Sequence, residues 1–151
     1  MERTYDYLPG ISLVYDDDRF LHADMDPDTF AELFGPEPDP NLSKTEKLTR
    51  SLRRAAVHAL EHVTDDDGGA CNFDSPVLIV EGSGMRTADV MYAVTQAGLR
   101  GWKGTERAWK GTVILNGFQH GQGNRRTNMA EAFRDSMVSD GYRCMMYYQM
   151  D

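Results

Sequence analysis

Two stretches of the chain combine glycine, arginine and threonine ahead of a helical pattern. They are Gly82-Ser83-Gly84-Met85-Arg86-Thr87 and Gly121-Gln122-Gly123-Asn124-Arg125-Arg126-Thr127. Flanking glycines let a phosphate or carboxylate approach the backbone, and a helix start offers free N–H groups and a partial positive charge. Arg86, Thr87, Gly121, Gly123, Asn124, Arg125, Arg126 and Thr127 are therefore the candidate anion-binding residues. A structural role suits them equally: the glycines make turns, Thr87 and Asn128 cap helices with Glu131 completing a capping box, and the arginines pair with surface acids. Neither stretch is a Walker A loop or a dinucleotide fingerprint, so an NTPase or dinucleotide enzyme is not indicated.

Other reactive side chains form weaker constellations. His58 and His62 stand four apart on a helical pattern, and with Cys71 or Asp65–67 they would make a metal site. Cys71 itself, in a glycine-rich stretch, would make a nucleophile with His58, His62 or His120 as base. The histidine motif order, a second nearby cysteine and EF-hand spacing are all missing. The expectation is no metal, no cofactor and no catalytic residue. Trp102-Lys103 and Trp109-Lys110, with Phe118, Tyr142, Tyr147 and Tyr148, suggest either base stacking or ordinary packing. An RNP-like run is absent, so direct nucleic-acid binding is not expected.

Charge is distributed unevenly. The 151 residues carry a formal charge of −8, which opposes general adhesion to nucleic acid or anionic membrane. Residues 1–43 hold eleven acids and two bases, residues 44–64 two acids and five bases, and the remainder eleven acids and nine bases. In the first segment Asp16, Asp17, Asp18, Asp24, Asp26, Asp28 and Glu32 lie among Tyr5, Tyr7, Tyr15, Phe20, Phe30 and Phe34, too aromatic a mixture for a solvated tail. Such an acidic surface suits a basic groove on a partner protein, or serves solubility alone.

These groups must be positioned by a recognisable set of elements. One or two short strands are expected over 5–15, broken at Pro9-Gly10, with a turn at Asp16–18. A short helix over 27–34 is capped by Asp26, and 35–40 reads as a stiff linker. Ser43 and Glu46 form a capping box, and Leu48, Leu52, Ala55, Ala56, Ala59, Leu60 and Val63 recur at helical spacing. Lys47, Arg50, Arg53, Arg54 and Glu61 fall away from that stripe. From residue 76 the order reads strand 77–80, helix 87–97, hairpin 99–103 and 108–115, helix 128–139, strand 142–148. The fold class is therefore α+β: a ferredoxin-like βαββαβ core preceded by a long helix and an acidic N-terminal segment. The segment covers 1–42 and the helix plus core 43–151, in one compact domain. With the first and third core strands adjacent and parallel, the two glycine-rich loops would emerge together and Arg86 would meet Arg125 and Arg126. Helix 43–63 would pack on the open sheet face. The exposed last strand leaves open a homodimer.

No apolar run is long enough to span a bilayer, and residues 1–6 lack a basic stretch followed by an apolar one, so a cytoplasmic protein with free Cys71 and Cys144 is expected. Over residues 50–151 the chain resembles a group of small proteins encoded in prophages and mobile elements of gut bacteria. The stretches that carry the likeness are Asp67-Gly-Gly-Ala-Cys-Asn-Phe-Asp74, Gly121-Gln-Gly-Asn-Arg-Arg-Thr127, Glu131-Ala-Phe133, and Gly141-Tyr142 through Tyr147-Tyr-Gln-Met-Asp151. The resemblance implies no catalytic residues. By analogy it implies an anti-defence protein, an anti-CRISPR-like inhibitor whose acidic segment occupies the nucleic-acid channel of a host CRISPR-associated nuclease. The other reading is a small binding module for a nucleotide, another phosphate-bearing ligand or RNA at the glycine-rich loops.

Overall fold

Alternation of apolar and polar residues around Pro9-Gly10 folds the start of the chain into an antiparallel meander. Strands β1 (Glu2–Leu8), β2 (Ile11–Asp16) and β3 (Arg19–Met25) lie in that order. In this computed structural model residues 1–36, 40–61, 74–104, 110–119 and 123–148 are described. Gly10 has φ +79 and presses against the Thr29 side chain, where a Cβ has no room. Strand β3 is not apparent in the sequence because a bulge interrupts its register between Val14 and Tyr15. The bulge puts Phe20 and Met25 on one face, both packed against the core, although they are an odd number of residues apart.

Asp26 starts helix α1 (Pro27–Phe34), its carboxylate accepting the Asp28 N–H at 3.4 Å. The Ser43–Glu46 capping box forms in both directions, at 3.1 and 3.3 Å, and opens helix α2 (Lys44–Glu61). The apolar stripe of α2 is buried, with Leu48, Leu52, Ala55, Ala56 and Ala59 fully enclosed. Arg53 departs from the expected exposed flank. It is buried and donates to Glu32 Oε1 at 2.9 Å and to the Pro9 carbonyl at 2.8 Å, tying α1 and the β1–β2 turn to α2.

Beyond residue 73 the described elements are β4 (Ser75–Ile79), α3 (Thr87–Gln96), β5 (Arg100–Lys103), β6 (Thr112–Asn116), α4 (Gly123–Ser139) and β7 (Cys144–Tyr147). The second sheet has the order β5-β6-β4-β7, and every neighbouring pair is antiparallel. Among the described residues the fold is thus α+β with two antiparallel sheets and four helices. Leu78, Val80, Val113, Leu115 and Met146 from the sheet share one core with Val90 and Val94 of α3 and Met129, Phe133 and Met137 of α4. Phe118 and Phe133 stack there with ring centroids 4.2 Å apart.

Two expectations are corrected. First, β4 and β6 are adjacent but antiparallel, because the β5–β6 hairpin reverses the direction that α3 preserves between β4 and β5. Second, α2 packs against α3 and α4, with the meander bound to it through the Tyr7 hydroxyl on the Ala56 carbonyl at 3.2 Å, not on the open face of the second sheet. A helix with small residues at Ala55, Ala56 and Ala59 lets neighbouring helices approach, which a sheet face does not require. No helix among the described residues is long and apolar enough to cross a membrane.

Candidate functional site

Since β4 and β6 run in opposite directions, the residues that follow them leave opposite ends of the sheet. Arg86 follows β4, stands exposed and pairs with Asp89 at 3.1 Å, a contact that raises its pKa. Thr87 is the first residue of α3, and its N-cap, Arg86, makes no side-chain cap bond. The second group lies at the start of β4. There Thr127 Oγ1 donates to Asp74 Oδ2 at 2.7 Å and Gln119 Nε2 donates to the Asp74 carbonyl at 3.3 Å. The expected meeting of Arg86 with Arg125 and Arg126 therefore does not occur.

Helix α4 also begins earlier than the expected start at Asn128, so Asn124, Arg125, Arg126 and Thr127 are helical and Asn128 is not its cap. Arg125 is buried, while Asn124 is exposed. Arg126 is half-buried, and burial lowers its pKa against the opposing pull of Asp74. Gly123 opens the helix and Gly121 lies outside the described residues. The structure assembles instead Asp74, Gln119, Arg126 and Thr127, with Gln119 Oε1 and Arg126 Nε buried and unbonded among the described residues. Asp74 and Thr127, 53 residues apart in the chain, thus meet in space.

Different cations attend the first glycine-rich loop. Gly82 and Gly84 both adopt positive φ, and Lys44 Nζ lies 2.6 Å from where a Cβ on Gly84 would stand. Arg143 donates to the Glu81 carbonyl at 3.3 Å. Both come from distant parts of the chain, and only their position at an element start hinted at them.

The acidic candidates occupy two places. Asp16, Asp17 and Asp18 surround the β2–β3 turn, where Asp17 has φ 51 and the N-terminal ammonium lies 2.9 Å from Asp16 and 3.4 Å from Asp17. Asp26, Asp28 and Glu32 belong to α1 and its cap at the opposite end of β3, and Glu32 is held by Arg53 at 2.9 Å. Asp24 sits between them beside His22, at 3.3 Å. On the outer face of the meander the cross-strand rows are Glu2, Asp16 and Arg19; Thr4, Val14 and His22; and Asp6, Ser12 and Asp24. Glu2 and Asp6 were not singled out by sequence, although their spacing of four residues puts them on the same side of a strand.

His62, Cys71 and His120 lie outside the described residues, as does Trp109. His58 contacts Glu61 at 3.5 Å, and no group of three potential metal ligands occurs among the described residues. Burial pushes the Cys144 thiol up to about 12, which keeps it protonated and unreactive near neutrality. Phe118 belongs to the core, whereas Trp102 and Tyr148 are exposed. No protein-family model, curated protein or solved structure matches the chain.

Proposed function

We propose that the chain is a non-enzymatic binding protein whose acidic meander occupies a basic, nucleic-acid-binding surface of a partner, in the manner of an anti-CRISPR inhibitor of a host nuclease complex. On this reading the βαββαβ unit is a ferredoxin-like platform that holds the meander through α2. The observation that carries the reading is charge geometry. All nine carboxylates of residues 1–36 are exposed, against only two lysine or arginine side chains, and four of them share the outer face of one sheet. A surface of this kind attracts a positively charged groove over several ångströms and repels nucleic acid itself.

The test is capture from a bacterial lysate on immobilised protein, with salt elution. A nucleic-acid-binding nuclease should be retained and released by salt. Changing Asp16→Lys and Asp18→Lys, with Asp17→Asn to respect its left-handed backbone, should weaken retention by about tenfold or more. Equal retention of the nuclease by this variant defeats the acidic-turn mechanism, and the absence of any such protein from the eluate defeats the reading as a whole.

A further inference from the structure

The meander has two edge strands, and the phase of its hydrogen bonds determines which backbone groups each edge presents. The Asp17 N–H donates to the Met1 carbonyl at 3.3 Å, one step beyond the pairing of Glu2 with Asp16. Bonded and unbonded pairs alternate along an antiparallel ladder. Arg3 with Tyr15 and Tyr5 with Leu13 are therefore the bonded pairs, and the N–H and C=O of Glu2, Thr4 and Asp6 point away from β2, out of the sheet. The Asp26 N–H on the Gly10 carbonyl, at 3.0 Å, sets the same phase on the other side, where the outward groups belong to Ala23 and Met25.

The two edges are not equivalent. A bulge interrupts β3 in mid-strand, which bends an edge away from a straight neighbour. Strand β1 is regular from Glu2 to Asp6, contains no lysine or proline there, and exposes all five of those residues. Among the described residues the Glu2, Thr4 and Asp6 side chains have no hydrogen bond or ion pair. An open edge of this kind is a template for another strand.

Side-chain charge determines which strand can use it. Glu2, Thr4 and Asp6 stand on the outer face of the meander, with Asp16 and Asp24 in the rows behind them. A second copy of the chain added antiparallel about Thr4 would set Glu2 opposite the other copy's Asp6, and a register centred on either acid would set it opposite itself. Like charges directly opposite destabilise a ladder. A strand with lysine or arginine at positions four apart answers both carboxylates instead. On the other face the Tyr5 ring is 47% exposed and meets Tyr15 edge-on at 5.7 Å, leaving an apolar surface for the neighbouring residue of that strand.

We infer that β1 takes an extended basic segment of a partner protein as an antiparallel fourth strand of the meander. The backbone of Glu2, Thr4 and Asp6 supplies the hydrogen bonds, basic side chains lie opposite Glu2 and Asp6, and an apolar side chain covers Tyr5. This inference rests on the meander being the docking element and names the kind of segment that docks.

The test uses the full chain and a peptide containing Lys-Val-Thr-Val-Lys, compared with the same peptide carrying glutamate in place of both lysines. Isothermal titration should show saturable binding of the lysine peptide with Kd below ~1 mM. The glutamate peptide should bind about tenfold more weakly or worse. In the free chain the Arg3 and Tyr5 amides should be protected from hydrogen exchange and those of Glu2, Thr4 and Asp6 open; the lysine peptide should close these three and leave Ala23 and Met25 unchanged. Thr4→Pro deletes an outward N–H that bonds nothing in the sheet, so it should weaken binding by about tenfold with little change in the unfolding midpoint. Ala23→Pro, the same deletion on the β3 edge, should bind as the parent does. The inference fails if the lysine peptide does not saturate, if the glutamate peptide binds as tightly, if the three amides stay open in the saturated parent chain, or if Ala23→Pro loses binding and Thr4→Pro keeps it. A dimer of the chain alone that closes those amides would overturn it in favour of a second copy. Lysate capture separates this inference from the function it rests on. A nuclease retained equally by the parent and by Thr4→Pro, yet lost by the variant at Asp16, Asp17 and Asp18, defeats strand addition and leaves the acidic-surface mechanism standing. Peptide docking with no nuclease in the eluate defeats the nuclease target and leaves strand addition standing.

Discussion

Asp74 and Thr127 show how one buried contact ties distant parts of the chain together. The Asp74 carboxylate is almost wholly removed from water and takes the Thr127 hydroxyl at 2.7 Å. Thr127→Val keeps the shape and deletes the donor, so it should cost about 1–3 kcal/mol in urea unfolding, the penalty of an under-bonded buried acceptor. Protonation gives a second residue-scale prediction. Burial raises the Cys144 thiol to about 12 and holds the Tyr7 phenol well above its ordinary value. Both groups keep their protons more tightly folded than unfolded. Their contribution is complete below the unfolded values, about 8.5 and 10, and is lost as pH rises from those values toward the folded ones. Unfolding free energy should therefore fall between pH 8.5 and 10.5, by up to ~1.4 kcal/mol per pH unit for the thiol at first. Cys144→Ala should flatten that decline, and an unchanged slope would show that the thiol is not its source.

At the scale of elements, the docking of the meander depends on two close approaches. Gly98, just after α3, has φ +86, and a Cβ there would lie 2.7 Å from Pro9 Cδ and 3.3 Å from Leu8 Cδ2. Gly98→Ala combines left-handed strain with that clash and should destabilise the protein by about 2–4 kcal/mol in urea unfolding. Arg53 makes the second attachment. Arg53→Met leaves the Pro9 carbonyl and Glu32 without their donor, and hydrogen exchange should accelerate in β1–β3 before it does in β4–β7. Equal acceleration throughout would mean that the meander does not open as a separate unit. Helix α2 was readable as an element because its capping box and apolar stripe are local. Its neighbours were not, since helical periodicity states which side is buried and nothing about what buries it. Strand β3 was missed for a related reason: a bulge converts an even spacing of inward residues into an odd one.

Across the whole molecule, Leu8, Ile11, Leu13 and Leu33 of the N-terminal elements belong to the same core as Leu52, Val80, Leu115 and Phe133. Heat or urea should accordingly unfold the chain in one transition, with coincident aromatic fluorescence and far-ultraviolet circular dichroism; separate midpoints would assign the meander its own stability. Sequence alone determined the two charge populations, the two capped helices before residue 62 and the strand–helix order after residue 74, because composition, caps and periodicity are properties of neighbouring residues. Tertiary structure decided which charged groups share a surface. The antiparallel pairing of β4 with β6 parted Arg86 from Arg125 and Arg126, while the packing of α2 on α3 and α4 brought Lys47 and Arg54 to Asp140 and Tyr142. Strand direction and helix packing are set by contacts between residues far apart in the chain, and spacing along the sequence does not record them.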